Sequence, residues 1–158
     1  TKVLKGHIAV ATTDLTKDNI GKKIDFRARK YLKNINLDYA HGTGHGVGFF
    51  LNVHEGPQSI SKINKVKIKE GMILSNEPGF YKKNEFGIRI ENLLYVRKIK
   101  KRLVFENLTL APIEKDLINF KILSQKEKDY LFKYHLNVYL MISKYLNIKE
   151  RKWLASFI

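Results

Sequence analysis

The chain has 158 residues, the length of one ordinary domain, and 44% of them are hydrophobic, so its composition excludes an intrinsically disordered chain. The formal net charge of +15 comes mainly from lysines dispersed along the whole chain, which favours a solvated basic surface over a specific nucleic-acid site. The absence of cysteine excludes disulfides and thiolate metal ligands and is compatible with a cytoplasmic protein, and the absence of an apolar run of about 18 residues excludes a membrane-spanning helix.

The first part of the chain is predicted to be helical. Residues 1–12 have the pattern of a helix end, TTDLTKDNIGK predicts a turn, and the apolar positions within 22–34 recur at helical spacing. Short apolar runs then predict strands in four segments: 63–68, 72–81, 88–96 and 103–113. We expect the second segment to break at Pro78-Gly79, and KKNEFG (82–87) to connect it to the third as a hairpin.

The last part of the chain is predicted to be helical as well. Ser124 and Glu127 have the spacing of a capping box, in which each side chain bonds the other residue's backbone N–H. The apolar residues of one helical face follow: Leu131, Tyr134, Val138, Ile142 and Tyr145. The fold class predicted from the whole pattern is α+β, with helices, an antiparallel sheet and a C-terminal helical cap.

Three of the five histidines lie in the glycine-rich segment HGTGHGVGFFLNVHEGP, residues 41–57. Glycine allows a backbone to approach another group closely, and imidazole offers a nitrogen ligand. Glu77 follows in NEPG, and Glu91 lies in the otherwise apolar IRIENLL, where a carboxylate needs a cation such as Arg89 or a metal.

Each of these residues also has an ordinary structural interpretation. His54 and Glu55 could form a surface pair, and Arg89 and Glu91 could form a salt bridge on an edge strand. Taken together, however, the spacing of the histidines and the two glutamates predicts a metal hydrolase site. Histidine and carboxylates without cysteine suit Mn²⁺, Zn²⁺, Co²⁺ or Fe²⁺.

Three segments of this sequence resemble the C-terminal signatures of aminopeptidase P, the Xaa-Pro aminopeptidases of the metal-dependent pita-bread family: HGTGHGVGFFLNVHEGP, GMILSNEPGFY and FGIRIENLLYV. The resemblance extends from VLKGHIAVA to KWL and so covers essentially the whole chain. LNVHEGP favours the large Xaa-Pro aminopeptidases over methionine aminopeptidases, prolidases and creatinases. The resemblance implies the C-terminal part of a pita-bread domain at 1–113, an antiparallel sheet with flanking helices, and a helical extension at 114–158.

The resemblance also implies a metal site and a reaction. His45, Glu77 and Glu91 would be metal ligands, with Glu91 bridging two divalent ions and Glu77 acting as general base. Mn²⁺ is the expected metal, with Zn²⁺ and Co²⁺ as alternatives. The substrates would be peptides with proline in second position, and the parent enzyme would be a homodimer that binds neither membranes nor specific nucleic acids.

Three further residues receive roles from the same resemblance. His41 and His54 would contact the substrate, His54 by stabilising the oxyanion at the scissile carbonyl. Arg89 would hold a neighbouring metal-ligand carboxylate. Stabilisation of a developing oxyanion by such donors is a general feature of acyl-transfer sites. The remaining histidines, His7 and His135, are predicted to be structural.

Two aspartate ligands of the family are expected upstream of this sequence. Asp14, in TTDLT, has a similar motif, but it follows VLKGHIAVA where the family's motif precedes it. Asp25 falls inside the helix predicted at 22–34. We therefore expect neither to bind metal, and we expect this chain alone to be poorly active or inactive.

Two other functions compete with the enzyme. One is a pita-bread module that has lost catalysis and binds peptides or acidic partners. A module of that kind has no need to keep His45, Glu77 and Glu91 together, and all three are present. The other is a nucleic-acid binder, which the dispersed lysines disfavour.

Overall fold

The structure is a computed structural model that describes residues 1–50 and 52–158. These residues form two compact units, Lys2–Leu108 and Thr109–Ile158 together with Thr1. No helix among the described residues is long and apolar enough to cross a membrane. The predicted domain boundary after residue 113 stays a prediction.

Two helices open the larger unit, α1 (Lys2–Ala11) and α2 (Gly21–Lys33), which confirms both predicted helices. Their buried residues recur at helical spacing and face each other across a close contact. A Cβ on Gly6 would lie 2.5 Å from the Ala28 carbonyl oxygen, so only glycine allows this approach of the two helices.

In the part of the chain that the structure describes, seven short strands follow, and all of their pairings are antiparallel: β1 (Gly44–His45), β2 (Ser59–Ile60), β3 (Ile73–Asn76), β4 (Gly79–Lys82), β5 (Phe86–Arg89), β6 (Asn92–Ile99) and β7 (Arg102–Asn107). Strands β3, β6 and β7 form one sheet in that order, while β4 pairs with β5 and β1 with β2. The combination of helices and antiparallel strands confirms the predicted α+β class.

Three of the strand predictions need correction. Residues 63–68 form no strand, and only Lys67 makes an isolated bridge, to Ile20. The segment 88–96 is not one strand, because β5 ends at Arg89 and β6 begins at Asn92. The segment 103–113, predicted to form short strands, is a strand only as far as Asn107, where β7 ends. The predicted break in 72–81 is confirmed, since β3 ends before Glu77 and β4 starts after Pro78.

The gap between β3 and β4 lies opposite the gap between β5 and β6. Asn76 pairs with Asn92 at the end of the β3–β6 ladder, and Gly79 pairs with Arg89 at the start of the β4–β5 ladder. The two ladders share one register, so Glu77 lies opposite Glu91. Proline has no N–H to donate, which explains why pairing fails at this level. One hydrogen bond of 3.4 Å, from the Ile90 N–H to the Pro78 carbonyl, bridges the gap.

The smaller unit is helical, with α3 (Gln125–Ile142) and α4 (Ile148–Ala155) as its main helices. The capping box of Ser124 and Glu127 is confirmed, and a second one at Asn147 and Glu150 begins α4. Leu131, Tyr134 and Val138 are buried as predicted. The prediction for Tyr145 is wrong: it lies in a 3₁₀ turn beyond α3 and is 75% exposed.

His135 has the structural role that the sequence predicts. Its ring is buried, its Nε2 accepts a hydrogen bond of 3.0 Å from the Ile113 N–H, and its Nδ1 lies 2.9 Å from the Phe157 carbonyl oxygen. The neutral tautomer with a proton on Nδ1 satisfies both partners. Burial lowers the pKa of His135, which keeps this tautomer neutral.

Candidate metal centre

Glycine allows the histidine segment to pass close to the sheet. Strand β1 pairs with β2, and Gly46 makes an isolated bridge to Leu74 in β3. A Cβ on Gly44 would clash with the Ser75 carbonyl group. A larger residue at position 44 would therefore push β1, and with it His45, away from β3.

His45, Glu77 and Glu91 come together at the paired interruption. Each offers one ligand atom, and these atoms all lie within 4.8 Å of one another. The Nε2 of His45 lies 3.4 Å from Oε1 of Glu77. The Nδ1 of His45 lies 3.0 Å from the Gly46 carbonyl oxygen, which favours the tautomer with its proton on Nδ1 and leaves the lone pair of Nε2 free for a metal. One imidazole and two carboxylates are a donor set that fits a divalent metal.

Glu77 is held on several sides. It is 9% exposed, and the Ser75 hydroxyl donates to its Oε1 at 2.9 Å. An Arg89 terminal nitrogen lies 3.3 Å from its Oε2. The Glu77 N–H donates to the Thr43 carbonyl at 2.7 Å, so the backbone of this residue is tied to the histidine segment.

Glu91 does not have the environment that the sequence suggested. The expectation was a carboxylate buried within a continuous strand, whereas Glu91 is exposed and lies between β5 and β6. The predicted alternative, a salt bridge from Arg89 to Glu91, is also not the observed pairing, since Arg89 pairs with Glu77. The strand turns out to be interrupted where the carboxylate is needed, because its partner strand carries Pro78.

Tyr81 is a functional candidate that the sequence reasoning missed. Its hydroxyl lies 2.9 Å from Nε2 of His41 and accepts a hydrogen bond of 2.7 Å from Nε of Arg89. That hydrogen bond is the main cause that raises the pKa of Arg89, burial opposes it, and the charges of Glu77 and Glu91 add to it. Strand alternation from Glu77 through Gly79 to Tyr81 could have identified this position, since residues two apart share a face.

The other two histidines lie beside the cluster. The ring of His54 is centred 4.0 Å from that of His45. Among the residues that the structure describes, His54 forms no ion pair with Glu55. Glu55 instead accepts a hydrogen bond of 2.8 Å from Asn52. His41 is centred 5.4 Å from the Tyr81 ring in an edge-on arrangement. The site therefore has three imidazoles, two carboxylates and a guanidinium on neighbouring elements.

Asp14 and Asp25 are both engaged elsewhere, which agrees with their exclusion as ligands. Asp14 lies 3.1 Å from Arg102 and accepts a hydrogen bond from the Thr16 N–H. Asp25 is buried in α2, where it contacts Arg29 at 2.8 Å and Thr43 at 2.6 Å. Among the residues that the structure describes, neither belongs to the His45 cluster.

The antiparallel strands thus gather one histidine and two glutamates, a set of side chains that could hold a metal ion. The profile of metallopeptidase family M24 matches residues 1–98, and that of the C-terminal region of peptidase M24 matches residues 101–156. The chain therefore belongs to metallopeptidase family M24, and its fold is the pita-bread fold of that family. The resemblance drawn from its sequence is confirmed.

Several of the similar proteins are named as Xaa-Pro aminopeptidases or aminopeptidases P. A probable Xaa-Pro aminopeptidase P of Laccaria bicolor is 44% identical over 98% of this chain and 26% of its own length. Aminopeptidase P2 of Arabidopsis thaliana is 46% identical over 98% of this chain and 23% of its own length. The crystal structure of the Caenorhabditis elegans X-prolyl aminopeptidase, described as a cytosolic enzyme with a di-nuclear active site, superimposes with a TM-score of 0.88 at 37% identity.

The similarity extends over nearly all of this chain but over only part of each relative. The structural comparison covers 99% of this chain but 27% of the Caenorhabditis elegans enzyme. The chain thus spans about a quarter of the length of the relatives it matches.

Proposed function

We propose that this chain is the C-terminal part of the catalytic region of an Xaa-Pro aminopeptidase, which releases the N-terminal residue from peptides with proline in second position. The single observation that carries the proposal is the position of Glu77 opposite Glu91 in one strand register, with His45 Nε2 3.4 Å from Glu77. The similarity to Xaa-Pro aminopeptidases over nearly the whole chain supports the substrate class.

The opposed glutamates support a metal on physical grounds. Directly opposite residues of an antiparallel pair have Cβ atoms about 5 Å apart, and like charges at that spacing repel. A divalent ion bound by both carboxylates and by His45 would remove the repulsion. We propose two metal ions in the longer protein, Mn²⁺ before Zn²⁺ or Co²⁺, in line with the di-nuclear site described for the nematode enzyme.

Glu77 is suited to accept a proton during catalysis. The Ser75 hydroxyl donates to one of its oxygens, and Arg89 lies against the other, so its carboxylate is held in one orientation. Divalent ions bound here would polarise the scissile carbonyl and lower the pKa of the attacking water. Glu77 would then take the proton of that water as general base.

The two neighbouring histidines are proposed to contact the substrate. His54 lies against His45 and is exposed, so its ring N–H can donate to an oxyanion that forms at the scissile carbonyl. His41 is held by Tyr81 and by the Gly42 carbonyl, 2.6 Å from its Nδ1. Arg89 would hold the Glu77 carboxylate in one orientation.

We propose that the 158 residues by themselves hydrolyse such peptides poorly or not at all. The described residues bring three candidate ligands together, whereas a di-nuclear centre needs more. The longer protein would be a homodimer, and it would be cytosolic like the nematode enzyme.

Metal content per chain tests the proposed site. The chain would be purified with Mn²⁺ and desalted, alongside Glu77→Gln and Glu91→Gln. The matched control is Glu85→Gln, which removes an exposed carboxylate paired with Lys82 at the tip of the β4–β5 hairpin. We expect a fraction of one ion for the chain and for the control, and about tenfold weaker binding for either ligand variant.

Two outcomes would contradict the proposal. Two tightly bound ions per chain would mean that the described residues supply a complete site, and Asp14 and Asp25 would have to be reconsidered. Equal Mn²⁺ binding by the chain, the ligand variants and the control would mean that the cluster is not a metal site. Hydrolysis of a peptide with proline in second position, by the longer protein and its Glu77→Gln variant, tests the reaction itself.

A further inference from the structure

Arg29 is a fully enclosed cation that the proposed chemistry leaves without a role. It lies in α2 and is only 2% exposed. Its guanidinium makes four hydrogen bonds. Its Nε donates to Asp25 at 2.8 Å, and its terminal nitrogens donate to one oxygen of Asp38 at 2.6 Å and to the carbonyls of Tyr39 and His41 at 2.7 Å each.

The two carbonyl contacts connect α2 to the start of the histidine segment. The carbonyl groups of Tyr39 and His41 lie two residues apart in the sequence, and the planar guanidinium reaches both oxygens at once. The guanidinium carbon also lies 3.9 Å from the centre of the Tyr39 ring, so this ring covers one face of the guanidinium. Arg29 therefore holds the backbone from which the His41 side chain extends to Tyr81.

A second set of contacts leads from Arg29 through Asp25 and Thr43 to Glu77. The Thr43 hydroxyl donates to Asp25 at 2.6 Å, since a carboxylate can only accept, and so the Tyr39 hydroxyl must donate to Thr43 across 2.5 Å. Burial raises the pKa of Tyr39 to about 12, so this phenol keeps its proton. Thr43 in turn accepts the Glu77 N–H at its carbonyl at 2.7 Å.

Two cations, Arg29 and Lys62, face two carboxylates, Asp25 and Asp38, so the charges of this network balance. Burial lowers the pKa of Arg29, but its hydrogen bonds to Asp25 and Asp38 outweigh burial and raise it. Burial likewise raises the pKa of Asp38, but hydrogen bonds from Lys62 and Arg29 lower it to about 2. A buried cation with two carboxylates is costly to build and strongly destabilising to break. Such a network is suited to imposing one geometry on the atoms it holds.

We propose that Arg29, acting with Asp25 and Thr43, is the positioning residue of the candidate metal centre. It holds the backbone of His41 through a carbonyl and the backbone of Glu77 through Thr43, so that both side chains approach the cluster from fixed points. The proposal rests on the proposed function for what the geometry serves, but the geometry itself can be tested in the metal-free chain.

The test uses nuclear magnetic resonance of the labelled, metal-free chain. Two signals report the two branches: the ring signals of His41, and hydrogen exchange of the Glu77 amide. The variants are Arg29→Lys, which keeps the charge and loses the planar fork, and Thr43→Val, which removes one hydroxyl and leaves Arg29 in place. The matched controls are Arg27→Lys, on the exposed face of the same helix, and Thr43→Ser, which restores the hydroxyl.

We expect the Glu77 amide to exchange about tenfold faster in both variants, relative to the Leu15 amide, which bonds the distant Leu103 carbonyl. The His41 ring signals should move in Arg29→Lys. Neither change should appear in Arg27→Lys. In Thr43→Ser, the Glu77 amide should exchange as slowly as in the parent chain.

Uniformly faster exchange, at Leu15 as much as at Glu77, would show that Arg29 only stabilises the fold and would overturn the proposal. Unchanged His41 signals and Glu77 exchange in a folded Arg29→Lys chain would do the same. If that variant fails to fold, Thr43→Val decides. Titration of the same samples with Zn²⁺, followed at the His45 ring, tests the metal site separately, so a failure there is distinguishable from a failure of the positioning role.

Discussion

His7 is predicted to make this protein sensitive to mild acid. Its side chain is fully buried in α1, and neither ring nitrogen has a hydrogen-bond partner among the described residues. Burial lowers the pKa of His7 from 6.5 to about 3. The folded chain therefore binds this proton only in strong acid, whereas the unfolded chain binds it below its ordinary pKa.

The magnitude follows from the difference between the two pKa values. The stability associated with neutral His7 is fully present above pH 6.5 and is lost as the pH falls toward about 3. Each pH unit in that window removes about 1.4 kcal/mol from the free energy of unfolding. A change from pH 7 to pH 5 should therefore remove about 2 kcal/mol through His7 alone.

Urea unfolding followed by far-ultraviolet circular dichroism at these two pH values tests the prediction. His7→Met replaces the imidazole by an adaptable apolar chain of similar size, and it should remove about 2 kcal/mol of the acid-induced loss. Ile8→Val is the matched control, since it weakens the core from the next position of α1 and should lower stability equally at both pH values. An acid-induced loss in His7→Met as large as in the parent chain would refute the reasoning.

Three further predictions concern single contacts. Gly44→Ala should lower stability by about 1–3 kcal/mol and weaken Mn²⁺ binding, because the new Cβ would meet the Ser75 carbonyl; unchanged metal binding would contradict this account. His135→Leu should lower the free energy of unfolding by about 2 kcal/mol, because the Ile113 N–H loses its acceptor. The lowered pKa of His135 predicts a loss of stability below pH 6.5, and the variant should lack this part of the loss, as measured by urea unfolding and tryptophan fluorescence. Ser124→Ala should lower the free energy of unfolding, measured in the same way, by about 1 kcal/mol, because α3 loses its N-cap. A loss that depends on pH would contradict this account.

Local signals in the sequence predicted the helices well. The apolar spacing of α2 and the capping box at Ser124 depend on residues three or four positions apart, so they are legible without the rest of the fold. The break at Pro78 was legible for the same reason, because proline lacks the N–H that a ladder needs. The matching interruption at 90–91 was not, because nothing in IRIENLL marks it and its cause lies in the opposite strand.

The sequence by itself determined which side chains could form the site. His45, Glu77 and Glu91 stand in motifs whose residue types and spacing point to metal chemistry, and this is a property of the chain alone. What only the tertiary structure decided is how these groups are held. The opposed position of the two glutamates comes from strand register, the contact of Tyr81 with His41 comes from the β4–β5 hairpin, and the enclosure of Arg29 comes from the packing of α2 against the histidine segment. Each of these is a contact between residues distant in sequence, and such contacts depend on the whole fold, since local composition carries no record of which segments will meet.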